Sequence, residues 1–273
     1  MERNHVIVVG GALVGLVCAG VAVAWLSEKD STTLKNAEGA ADDDVHWEDA
    51  NVYELLAMLR DRSTPKAVLR LCELAVFKEF QTQIGEMGGI ALLIDLLWTS
   101  HDDETTYALL ITLSNLTIHS TNQTLMHDAE IEVVVATVYD DVSISTTVRS
   151  ACIRLLCNLA MWDSSTATLL ELPVIHTLAT DLLESTDESE WSTDILQLFV
   201  NLTGNLSAIK NVQDGALESI LESTTSFCLD NRLTPRQADN SKLILQHLSK
   251  HVDPCQEMVS QATSCLDAFS IQL

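Results

Sequence analysis

Two short patterns in this sequence invite a chemical reading. Gly10, Ala12 and Gly15 stand in VIVVGGALVG as in a G-x-A-x-x-G turn, which would seat a dinucleotide pyrophosphate on a helix N-terminus. The helix after such a turn needs a polar face and a return to a second strand. Ala12 to Leu26 has no polar face, and the chain then enters an acidic stretch, so the cofactor reading fails. His247 and His251 share a helix face at i and i+4, with Asp253 and Cys255 close behind, and they sketch a zinc site. A second ligand pair and the glutamate of H-E-x-x-H are both missing, which favours a solvated helix end over a metal. There is no G-x-S-x-G, no phosphate loop and no C-x-x-C, and the carboxylates are spread along polar loops instead of clustering at apolar sites that could shift their pKa. The expectation is a protein that is not an enzyme, with no cofactor and no metal.

The elements that carry these residues are announced by an internal repeat. LCELA around Glu73 returns as LSNLT around Asn115, LCNLA around Asn158 and FVNLT around Asn201, at spacings of 42, 43 and 43 residues. A fainter copy, LQHLS around His247, follows after 46. Apolar columns recur in steps of three upstream of each centre, as in Leu110, Leu113 and Leu116, which marks one face of a helix. A second string keeps phase with the first: Ile90, Ile131, Val174 and Leu217 stand 41, 43 and 43 apart, with glycine, or Pro173 at the first helical position, expected to mark a sharp entry into each of these helices. Each unit therefore reads as two long helices and a short one. All-helical periods of this length are the signature of an α-solenoid, in which stacking neighbours complete the core that no unit can bury alone.

Ahead of the repeats, residues 1–5 are a polar N-terminus and residues 6–26 an uncharged apolar run. Twenty-one residues at ~1.5 Å each give roughly 30 Å of helix, about the thickness of a hydrocarbon core, so a single transmembrane anchor is expected. Gly11 and Gly15 form a G-x-x-x-G through which two such helices could pack into a homodimer. Ala22-Val23-Ala24 also resembles a signal cleavage site after residue 24, although the apolar run exceeds the usual signal core of ~7 to 15 residues. Arg3 on one side against Lys29 and Lys35 on the other leans toward a cytosolic body. Residues 27–50 carry Asp42, Asp43, Asp44, Glu48 and Asp49 among small residues and read as an acidic flexible linker to the solenoid of residues 51–273.

Composition agrees. Fifteen Lys and Arg against 39 Asp and Glu give a formal charge of −24, which repels phosphate backbones and excludes nucleic acid as a partner. Ten glycines, four prolines and 5% aromatics are a poor supply of turns and strand formers for a β fold. Of seven cysteines, Cys72, Cys152 and Cys157 sit in or beside the apolar columns and read as small buried hydrophobes. Cys228, Cys255 and Cys265 lie outside those columns and are the candidates for reactive thiols. Asn115, Asn122, Asn201 and Asn205 begin N-x-S/T sequons, two of them inside core helices, and read as chance sequons in an unglycosylated compartment.

IGEMGGIALLIDLL followed by YALLITLSNLT resembles the armadillo repeat, over about residues 51–273, with four recognisable repeats and a degenerate fifth. The layout of apolar span, acidic linker and short array is similar to that of the small N-terminally membrane-anchored armadillo proteins of the mitochondrial outer membrane. The resemblance implies an all-α solenoid that binds proteins, facing the cytosol, in organelle positioning or dynamics. In peptide-binding members, asparagines of the third helices hold the main chain of an extended peptide and tryptophans four residues earlier wall its side-chain pockets. Asn115, Asn158 and Asn201 occupy the asparagine position here, whereas Ile111, Arg154 and Gln197 stand where the tryptophans would, and Glu73 and His247 replace the flanking asparagines. An alternative role for the three amides is to bond neighbouring backbone at helix ends. A second layout is also open: a lumenal armadillo co-chaperone of the endoplasmic reticulum, a nucleotide exchange factor with its signal removed, its sequons used and its six remaining cysteines paired.

Overall fold

The computed structural model describes residues 49–61, 65–100, 102–185, 190–206, 214–230 and 233–249. The apolar run of residues 6–26, Gly11 and Gly15 within it, most of the linker, and His251, Asp253, Cys255 and Cys265 lie outside these. Among the described residues there are thirteen α-helices and no strand, and no helix is long and apolar enough to cross a membrane. The chain divides into two compact units at Val134 and Val135.

The first unit opens with α1 (Val52–Asp61), begun by a reciprocal cap in which the Asn51 amide N–H donates to the Glu54 carboxylate and the Glu54 N–H to the Asn51 side chain. Val52, Leu55, Leu56 and Leu59 form its buried stripe. After α2 (Pro65–Leu74), which starts on a proline that has no N–H to leave unpaired, come α3 (Lys78–Glu86), α4 (Gly89–Thr99) and α5 (Asp103–Leu116). Asp102 caps α5 by accepting from the Thr105 N–H at 2.8 Å. α5 packs on α2 of the preceding repeat and on α4 of its own. The short α6 (Ser120–Asp128) then leads into α7 (Ile131–Asp140), whose first residues belong to this unit.

Two of the corners between short and second helices turn on a left-handed residue, while the corner at Leu172 and Pro173 does not. Gly88 supplies it at φ 72° before α4, and Glu130 adopts φ 55° at the same place before α7, where an L side chain is strained. Gly89 is also fixed by space, because an added Cβ would press on Ile84 and Leu56.

The second unit holds the rest of α7, then α8 (Thr146–Leu159), α9 (Asp163–Glu171), α10 (Val174–Glu184), α11 (Glu190–Gly204), α12 (Asp214–Asp230) and α13 (Pro235–Leu248). α8 and α13 are stacked on the two sides of α11, and α10 is packed against α12. Ser145 caps α8, while Thr234 and Gln237 form a complete capping box ahead of Pro235 on α13.

One corner arrangement returns with the repeat. Gln81 donates to the Ala75 carbonyl at 2.9 Å, Gln123 to the Thr117 carbonyl at 2.6 Å and Thr166 to the Ala160 carbonyl at 2.9 Å, always six residues back. Each short helix thereby satisfies a carbonyl just beyond the last turn of the long helix before it, a group that the helix itself leaves orphaned. The expected grouping of two long helices and a short one holds for the middle repeats, whereas the described part of the first repeat consists of α1 and α2 alone.

Candidate functional site

The third helices of the repeats are α2, α5, α8, α11 and α13, and they carry the residues expected to meet a peptide. In the first unit Asn115 lies on α5, a helix buried from Thr105 to Leu116, and is only 2% exposed. Its Nδ2 is buried without a hydrogen-bond partner among the described residues. Glu73, at the corresponding place on α2, is held by Arg70 at 2.6 Å. The structure thus places Asn115 inside the packing, where it presents no amide to an incoming chain.

In the second unit Asn158 and Asn201 are half-buried on α8 and α11. The Asn201 Nδ2 donates to the Cys157 carbonyl of the preceding repeat at 2.9 Å, and its Oδ1 accepts from Gln197 at 3.2 Å. An amide has two donor hydrogens and two lone pairs, so one of each is left for a ligand. Arg154, which stands where a tryptophan would wall a pocket, reaches from α8 to Asp194 on α11 with an N to O distance of 3.5 Å. The Cys157 thiol adds a contact to the Asp194 carbonyl at 3.6 Å. His247 on α13 meets the Thr203 hydroxyl at 3.2 Å. Instead of an asparagine and tryptophan ladder, this face is a lattice of polar bonds that joins one repeat to the next.

The sequons have the same fate. Asn122 is buried, and its Nδ2 donates both hydrogens, to the Gln81 carbonyl at 3.0 Å and the Leu116 carbonyl at 3.3 Å. The Asn205 Nδ2 donates to the Ala160 carbonyl at 2.9 Å and the Thr166 hydroxyl at 3.3 Å. With Asn115 enclosed and Asn201 bonded to Cys157, the amide nitrogen of every N-x-S/T triplet points into the fold. The sequence had placed two of the four there.

A second cluster went unseen in the sequence. The Tyr139 hydroxyl at the end of α7 donates to the Asp181 carboxylate near the end of α10. The Arg149 guanidinium lies 5.7 Å from the centre of the Tyr139 ring and donates to the Asp141 carbonyl at 3.2 Å, and Trp191 stacks beside the ring at 6.0 Å. Burial, and next the bond to Asp181, raise the Tyr139 phenol well above its ordinary value, so it stays a donor. No spacing rule could have found this node, because its members come from four elements and two of them, Asp181 and Arg149, read as ordinary surface charges. Ser143 donates its backbone N–H and then its hydroxyl to Asp141, which lowers that carboxyl below its usual range. In the first unit the buried Glu132 carboxylate faces His127 at 2.9 Å.

Cys72, Cys152, Cys157 and Cys228 are buried thiols outside any disulfide. Cys228, expected among the reactive candidates, is 8% exposed on α12 and joins the structural thiols instead. Burial pushes the Cys72 thiol up to about 12 and raises that of Cys152 further, the reverse of what a nucleophile needs. Among the described residues no group of three or more histidines, cysteines and carboxylates stands close enough to hold a metal ion.

A model of the armadillo-like family matches residues 50–223. The chain belongs to that family. No curated protein matches it. Among solved structures it is similar to the armadillo repeats only protein of Plasmodium falciparum, at 18% identity over 67% of this chain and 79% of that one, with a TM-score of 0.54. An engineered protein gives a TM-score of 0.58 at 15% identity, covering 81% of this chain and all of that one. A designed armadillo repeat protein in complex with the peptide (KR)4 gives 0.51 at 14% identity, again over 81% of this chain and all of the other. At these identities the likeness establishes the all-α armadillo fold, which is consistent with a protein-interaction scaffold.

Proposed function

We propose that this protein is a non-enzymatic armadillo scaffold that recruits protein partners from a membrane, tethered by residues 6–26 in the mitochondrial outer membrane with its body in the cytosol and acting in organelle positioning or dynamics. Membership of the armadillo-like family carries the scaffold reading. A designed relative of the same fold was solved with a bound basic peptide, and the charge of −24 here suits cationic partners in the same way. The donor and acceptor left over on Asn201 offer a peptide main chain a contact on the third-helix face, with Asn158 half-buried at the equivalent place on α8.

Support for the cytosolic side comes from the sequons. A glycan on Asn122 would replace a hydrogen that the Gln81 or Leu116 carbonyl needs and would force a sugar into a buried wall, so a chain glycosylated there could not close its repeats. The anchor rests on the 21-residue apolar run, and the acidic stretch of residues 27–50 sets the range over which partners are reached. Dimerisation through Gly11 and Gly15 would double the number of bodies per anchor site.

Protease protection of a C-terminally tagged chain on separated mitochondria and microsomes, with and without detergent and with a glycosidase control, tests this reading. Digestion of the tag on intact mitochondria with no glycan shift is the expected result. A protected, shortened and glycosylated chain in microsomes overturns it in favour of the lumenal co-chaperone.

A further inference from the structure

The corner where a third helix ends and the next short helix begins is built the same way three times. Ala75, Thr117 and Ala160 donate their backbone N–H to the carbonyl four residues back, and Phe77, His119 and Trp162 donate theirs to the carbonyl three back. The carbonyls of Phe77, His119 and Trp162 then accept from the backbone of Gln81, Gln123 and Thr166. In the middle of this turn stand Val76, Ile118 and Met161, each a large apolar side chain left in water, 37%, 56% and 36% exposed. Isolated exposed apolar residues are ordinary. One that returns at the same place in the same backbone turn is a feature of the surface.

In the first unit two of these corners are fastened to each other. The Asn122 Nδ2 lies within 3.3 Å of both the Gln81 carbonyl on α3 and the Leu116 carbonyl at the end of α5. Gln81 in turn bonds the carbonyl of Ala75, the residue before Val76. Val76 and Ile118 are therefore neighbours along one edge, and Phe77, 56% exposed with its ring edge-on to Phe80, enlarges it. This edge is also nearly free of charge in a chain of −24. Residues 105–127 contain no Asp, Glu, Lys or Arg, and residues 74–85 contain only the exposed pair Lys78 and Glu79.

From this we infer that the edge of Val76, Phe77 and Ile118 docks on the same edge of a second copy of this chain, in a two-fold contact that sets Lys78 of each copy against Glu79 of the other. Two bodies of this charge repel wherever carboxylates meet, so copies can come together only across a face that lacks them. A cationic partner finds no surplus of carboxylates on this edge and is drawn to the acidic loops instead. An apolar centre with one cation and one anion at its rim complements itself under a two-fold axis, where each residue meets its counterpart's neighbour and the reverse. The contact lies in the body of the protein, apart from Gly11 and Gly15, and does not depend on the anchor.

The test is sedimentation equilibrium of the full chain in a density-matched nonionic detergent, joined to carbodiimide cross-linking of an equal mixture of ordinary and heavy-isotope chains. A dimer with a dissociation constant on the order of 10 μM is expected, with mixed-isotope cross-links between Lys78 and Glu79. V76S with F77S and I118S should weaken it at least about tenfold, as truncation of interface anchors does. K78E alone should weaken it as well, whereas K78E with E79K exchanges the two charges on both copies and should restore it. All these positions are exposed, so circular dichroism should find every variant folded. G11L with G15L should leave the cross-links in place. A monomer up to about 100 μM overturns the inference. So does a dimer that survives V76S with F77S and I118S, whose contact must lie elsewhere, in the anchor helices if G11L with G15L removes it. Neither result touches the scaffold reading, which the protease-protection experiment decides separately.

Discussion

Gly85 and Asn122 make a coupled pair whose energetics can be worked from the structure. Asn122 stitches α6 to two carbonyls, Gln81 in the previous repeat and Leu116 at the end of α5. Gly85 on α3 leaves the room for it, since an added Cβ would overlap the Asn122 amide oxygen. Asn122→Ala removes two hydrogen bonds and strands two carbonyls, which should lower stability by about 2–3 kcal/mol. Gly85→Ala should lower it by a similar ~2–3 kcal/mol, because the new methyl evicts the amide and the same bonds are lost. The double variant has no amide left to evict, and the methyl enters the space that the shortened side chain vacates. Its loss should therefore stay near about 2–3 kcal/mol instead of the additive ~4–6, a coupling of roughly 2 kcal/mol. In thermal unfolding followed by far-ultraviolet circular dichroism each single variant should melt about 5–10 °C lower and the double no lower than the worse of them. Additivity within about 0.5 kcal/mol would show that Gly85 and Asn122 do not compete for one space, and the account of this corner would be wrong.

Replacing Glu130 by glycine should raise stability by about 0.5–1 kcal/mol, the relief of a left-handed side chain less the added freedom of the unfolded chain, visible as a melting point higher by ~1–3 °C. Tyr139→Phe leaves the Asp181 carboxylate without its hydroxyl donor and should cost about 1–2 kcal/mol in urea unfolding, with an unchanged value counting against the node. Alkylation at pH 8 mapped by mass spectrometry should leave Cys72 and Cys152 unmodified until the chain unfolds. The Cys72 thiol ionises near 9 when unfolded and about 12 when folded, so its contribution to stability is complete below pH 9 and fades as pH rises toward 12; a melting point that climbs over that range would refute the assignment.

The period, the helix triplets and the family were legible in the sequence because each rests on apolar residues that recur with the repeat, such as Leu113 and Leu156, and burial follows directly from their spacing. The fate of the asparagines was not. Asn115, Asn158 and Asn201 occupy equivalent places in their strings, yet one is enclosed and two are half-buried, a difference set by packing around each helix and invisible in a local window. Cys228 was misjudged because α12 is buried on more than one face, so a column drawn from the other repeats did not describe it. Glu130 hid a left-handed corner because the sequence there offers no glycine, and tertiary packing holds the strained conformation. Tyr139 and Asp181 pair across a repeat, and no pattern rule relates a polar residue on one helix end to its partner some forty residues away.

The corner bonds from Gln81, Gln123 and Thr166 are each closed inside a stretch of seven residues. A module cut out or copied whole therefore carries these corner bonds with it, and only its stacking surfaces have to be rejoined to the flanking modules. Unequal crossing-over within such a gene meets little resistance at these joints. The glutamine-to-threonine change among the three shows that the joint asks for a donor of the right reach and is indifferent to which side chain provides it. Arrays of other lengths should be reachable from this chain by whole-repeat duplication, with the inter-repeat bonds of Asn122, Asn201 and Asn205 as the contacts that each new neighbour must relearn.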